Sequence, residues 1–66
     1  MDSRLKEGLS QAWRLLEEFY IIAPGDTGRW DQLVQRAADL SRQYAAYPLV
    51  TSFIFSVMED IDRRSR

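Results

Sequence analysis

The chain has 66 residues, so it forms one domain at most, and a chain this short buries only about 60% of the surface it exposes when unfolded. It contains neither cysteine nor histidine, which excludes disulfides, Cys/His zinc sites and every Ser-His or Cys-His catalytic arrangement, and leaves oligomerisation or a partner protein to supplement the core. Nine basic and ten acidic residues, net −1 and interspersed, make a poor electrostatic footprint for nucleic acid or an anionic membrane.

In chain order, the first apolar pattern places Leu5, Leu9, Ala12, Leu16 and Phe19 at spacings of four and three, with Trp13, Leu15 and Tyr20 widening the stripe. That periodicity predicts an amphipathic helix over about 3–20, with Asp2 or Ser3 as its N-cap. Gly8 lies inside it, at a cost of about 1 kcal/mol relative to alanine. Lys6, Glu7, Arg14, Glu17 and Glu18 form the solvated face.

The linker "APGDTGRW" contains Asp26-Thr27-Gly28, the tripeptide that carries the catalytic aspartate of aspartic proteases. That chemistry needs a preceding strand and a second aspartate sharing one proton, whereas here helical patterns lie on both sides. Gly25-Asp26-Thr27-Gly28 also has the spacing of a KH-type Gly-x-x-Gly loop, but places an acid where phosphates would lie and lacks the flanking strands. The simpler expectation covers each residue: Pro24 and Gly25 stop the first helix, and Asp26 or Thr27 caps the second.

Trp30, Leu33, Val34, Ala37, Leu40 and Tyr44 predict a second helix over about 27–45. In "YAAYPL", Pro48 fits the first position of a third helix and leaves Tyr47 at the cap. That helix, about 48–63, sweeps apolar residues over half its circumference: Leu49, Val50, Phe53, Ile54, Val57, Met58 and Ile61, with Phe55 beyond the arc. A helix-turn-helix DNA reader would need polar and basic residues there, and "PLVTSFIFSVMED" inverts that chemistry. Arg63, Arg64 and Arg66 close the chain, suited to the negative end of a helix dipole. The expected architecture is therefore an all-α, compact three-helix bundle spanning 1–66 as a single domain, oligomeric, with a small polar network at the joints.

The pattern "AWRLLEEFY", the linker "APGDTGRW" and "LVQRAADLSRQYAAYPLVTSFIFSVMEDID" together resemble small three-helix proteins of phages and prophages of Gram-positive bacteria. The resemblance implies a phage accessory protein and carries no site residues with it. The "SFIF" run is more aromatic than that pattern leads one to expect.

The functional expectation is a non-enzymatic protein-interaction module, an inhibitor of a host or defence protein, with no metal and no cofactor. Its partners would be a second copy of itself, a host protein, or both. Phe53, Ile54, Phe55 and Met58 are the expected contact residues, because the apolar surplus of the third helix exceeds what one groove covers. The alternative is a helical oligomer sequestering a nucleotide-like ligand through Arg29, Trp30, Tyr44 and Tyr47 beside the "GDTG" loop, where free N–H groups at a helix start could hold a phosphate. Asp26 opposes that reading by charge. A phage structural or DNA-binding component is a further alternative. The N-terminus "MDSRLKEG" lacks an apolar signal region and no run reaches the roughly 20 residues of a membrane span, so the expected location is the cytoplasm of a bacterial host cell.

Overall fold

The computed structural model describes residues 2–66 and contains three α-helices: α1 (Ser3–Glu18), α2 (Thr27–Gln43) and α3 (Pro48–Ser65), with no strand among the described residues. Asp2 lies beside Tyr47 at one end of the bundle, while Ile22 meets Ser65 at the other. The first and third helices therefore run parallel and pack directly on each other, with α2 antiparallel to both. They form a rod 39 × 17 × 15 Å. No helix among the described residues is long and apolar enough to cross a membrane.

The helix starts follow the sequence reading. Asp2 Oδ1 accepts a hydrogen bond from the Arg4 N–H at 2.8 Å, and Asp26 Oδ1 accepts one from the Arg29 N–H at 3.1 Å, so each aspartate satisfies a free donor of its first turn. Pro48 occupies the first turn of α3, where a missing N–H costs nothing, and Tyr47 takes the cap position without a side-chain hydrogen bond.

The end of α1 differs from expectation. The helix stops at Glu18, not near residue 20, and Pro24 and Gly25 play no part in stopping it. Continuing the helix would point the Ile22 N–H back at the Glu18 carbonyl. Both groups are taken elsewhere: Ile22 N–H donates to Ser65 Oγ at 2.8 Å, and the Glu18 carbonyl accepts from the Arg29 guanidinium at 2.7 Å. The Tyr20 carbonyl likewise accepts from Arg64 Nε at 2.9 Å. The extended segment carries Ile22 into the core, 2% exposed, and burying such a side chain contributes about 1.5–3 kcal/mol. Pro24 and Gly25 instead form a type II turn, with Gly25 at φ +85° and the Asp26 N–H donating to the Ala23 carbonyl at 3.0 Å. α3 runs two residues beyond the expected end, to Ser65, whose hydroxyl accepts the Ile22 N–H.

The core is assembled from one stripe per helix. Ala12 and Leu15 of α1, with Phe19 and Ile22 beyond it, meet Leu33, Ala37 and Leu40 of α2, Tyr44 at its end, and Val50, Ile54, Val57 and Ile61 of α3. The buried residues of α3 keep spacings of four and three, a single narrow seam rather than half the circumference. Gly8 belongs to this core. A Cβ there would lie 2.8 Å from Val50 Cγ2 and 2.9 Å from Tyr44 Cδ1, so only glycine lets α1 approach α3 and the Tyr44 ring this closely.

Candidate interaction surfaces

Both ends of the bundle are sealed by arginines that stack on aromatic rings and donate to carbonyls at helix ends. At the first end, the Arg4 guanidinium lies 4.4 Å over the Tyr44 ring and donates to the Gln43 carbonyl at 3.3 Å. Tyr47 packs edge-on against Tyr44 and donates its hydroxyl to Asp2 at 3.2 Å. Burial pushes the Tyr44 phenol up from its usual 10.0, with the Glu7 carboxylate adding to the effect, and burial with Asp2 does the same for Tyr47. At the other end, Arg29 stacks on Phe19 at 4.1 Å, Arg64 stacks on Tyr20 at 3.8 Å, and Arg36 pairs with Glu18 across helices at 2.7 Å. The expected polar network at the joints is present, and the C-terminal arginine Arg64 is one of its main anchors. The sequence pattern marked Arg64 only as a favourable dipole charge.

This arrangement separates the residues of the expected ligand site. Arg29 and Trp30 lie at the start of α2, while Tyr44 and Tyr47 lie past its far end, about 21 Å away along the helix axis. They form no single pocket. Tyr44 is also 1% exposed, and the guanidinium of Arg29 is already engaged by Glu18 and Gln32. The Asp-Thr-Gly triplet is the exposed cap of α2, and no cluster of three metal-ligating side chains occurs among the described residues.

The four expected contact residues are divided as well, because positions 53 and 55 lie about 200° apart around a helix. Ile54 is a correction: at 2% exposure its side chain belongs to the core and reaches only the floor of a groove. Phe55, 69% exposed, and the half-buried Met58 face α2, where with Val34, Ala38 and Ser41 they border an almost wholly apolar groove of about 230 Å³. Val34 itself is 49% exposed. Phe53 lies on the opposite flank of α3, in a more polar cleft of about 410 Å³ shared with Leu16, Ser56, Glu59, Asp60 and Arg63.

The α1 side of this second flank, where part of the first helix was expected to join the contact, carries apolar residues of its own. Leu9, Trp13, Leu16 and Tyr20 follow one another at spacings of four, three and four, displaced by a fraction of a turn from the buried stripe of Gly8, Ala12 and Leu15. Trp13 and Tyr20 are each more than half exposed, as is Leu49, one turn before Phe53 on α3. The signal was present in the doubled seam of α1: a single stripe needs either Ala12 or Trp13, and this helix carries both.

Compared with protein-family models, with curated proteins and with solved structures, the chain shows no match to any of them.

Proposed function

We propose that the chain is a non-enzymatic protein-interaction module of phage-accessory type, which inhibits a host or defence protein in a bacterial cytoplasm by docking through the flank of α3 that faces α2. The observation that carries this reading is Phe55: a large aromatic side chain 69% exposed at the lip of an apolar groove. With the half-exposed Val34 and with Met58 it forms a contiguous apolar patch, the kind of surface that marks a contact, and full burial of a phenylalanine contributes about 1.5–3 kcal/mol to an association. Ser41 at the groove and the exposed Ser52, one turn before Phe55, supply polar groups beside the apolar anchor. The absence of histidine and cysteine fits occupation of a surface better than covalent or acid-base chemistry.

The test is a paired capture from Gram-positive bacterial lysate with the wild-type chain and Phe55→Asp. A polypeptide retained by the first and lost from the second, with helical content equal in both, is the expected result. Identical captured proteins for the two chains would overturn the reading.

A further inference from the structure

We infer that the opposite flank, formed by α1 and α3, is the contact between two copies of this chain, related by a two-fold axis perpendicular to α1. Leu9, Trp13 and Leu16 on α1, with Tyr20 just beyond its end, share a flank with Leu49 and Phe53 on the parallel α3, and Leu16 and Phe53 line the cleft between the two helices. A seam at spacings of four and three on a straight helix is the pattern that packs against another helix at about 20°. The long face of the rod, 39 by 17 Å, sets a ceiling on the order of 650 Å² per copy, so two copies joined over it bury up to about 1,300 Å², which reaches the range of specific interfaces.

Charge decides that the occupant is a second copy and fixes its direction. Lys6 and Glu17 lie eleven residues apart, about three turns or 16 Å, so they stand on one side of α1 and bracket Leu9, Trp13 and Leu16. Neither takes part in an ion pair among the described residues. The Glu17 end also carries Glu59 and Arg63 at the cleft and stays net negative. An antiparallel two-fold pairing centred between Gln11 and Ala12 brings each Lys6 to the Glu17 of the other copy, twice by symmetry. The same register sets each Trp13 against the small, exposed Ser10 of the other copy, which gives the indole room. A parallel pairing would instead set Lys6 against Lys6 and Glu17 against Glu17, so the charge pattern is complementary to a second copy in the antiparallel direction alone.

Light scattering over concentrations into the high micromolar range tests the arrangement. The wild-type chain should give twice 7.7 kDa, and Trp13→Glu should give 7.7 kDa with its helical circular dichroism intact. Lys6→Glu turns two attractive contacts into repulsive ones and should weaken the dimer about tenfold at low salt, and adding Glu17→Lys to it should restore the affinity. A wild-type monomer throughout, a dimer that survives Trp13→Glu, or a charge-reversed pair that fails to recover would each overturn the proposal. Phe55→Asp should leave the mass at twice 7.7 kDa; loss of the dimer there would place the second copy on the α2 side and overturn it as well. The dimer and the foreign contact at Phe55 thus fail separately.

Discussion

On its α2 side, α3 presents Phe55 and Met58 to a helix whose facing residues, Ala38 and Ser41, are small; on its α1 side, Leu49 and Phe53 stand beside the larger Leu9, Trp13 and Leu16. The first flank is a knob next to a hollow, suited to one anchoring contact. The second is a pair of long ridges, suited to another helical layer. Between them the buried seam of Val50, Ile54, Val57 and Ile61 holds the bundle together, so a rotation of about 100° around α3 separates a residue that folds the chain from one free to bind.

That contrast is broken most severely at Ile54. Ile54→Asp would bury an unpaired carboxylate between three helices, costing more than about 4 kcal/mol, which is most of the stability of a domain this small, and thermal or denaturant unfolding should show no cooperative transition. Gly8→Ala comes next. Helix propensity alone would favour the alanine by about 1 kcal/mol, but its Cβ would press on Val50 and Tyr44, both fully packed, and the net loss should be about 1–3 kcal/mol by chemical denaturation. Measured at concentrations low enough for every chain to be a monomer, Phe55→Asp and Trp13→Glu should each move stability by no more than about 0.5 kcal/mol, since both side chains are then mostly in solvent, while abolishing the association of their own flank at higher concentration.

The smallest expected effect is at the Arg4 end of the bundle. The phenols of Tyr44 and Tyr47 are raised in the folded state above their ordinary 10.0, so the unfolded chain gives up its protons first as pH rises. Stability from this source is fully present below pH 10 and is lost above it. Denaturation midpoints measured from pH 8 to 11 should fall only at the alkaline end, and Tyr44→Phe with Tyr47→Phe should flatten that fall.

The amphipathic stripes, the two aspartate caps and the Pro48 start were legible in the sequence because each is decided within one or two turns. The early end of α1 was not, because Glu18, Tyr20 and Ile22 find their hydrogen-bond partners in Arg29, Arg64 and Ser65, up to 44 residues away. For the same reason Gly8 read as a weak point of the helix, although Val50 and Tyr44 make it a requirement of the packing. As for the contact surface, Phe53, Ile54, Phe55 and Met58 are neighbours in sequence, and only the position of α1 and α2 on either side of α3 distributes them between a flank, the core and the other flank. The placement of Phe55 outside the core, by contrast, followed from periodicity alone.

The most direct test of this two-flank account places a photo-crosslinking residue at position 13 in one sample and at position 55 in another, both irradiated in bacterial lysate. Position 13 should yield an adduct at twice 7.7 kDa containing only this chain, and position 55 an adduct with a different polypeptide. A homodimer trapped from position 55, or none from position 13, would contradict the account.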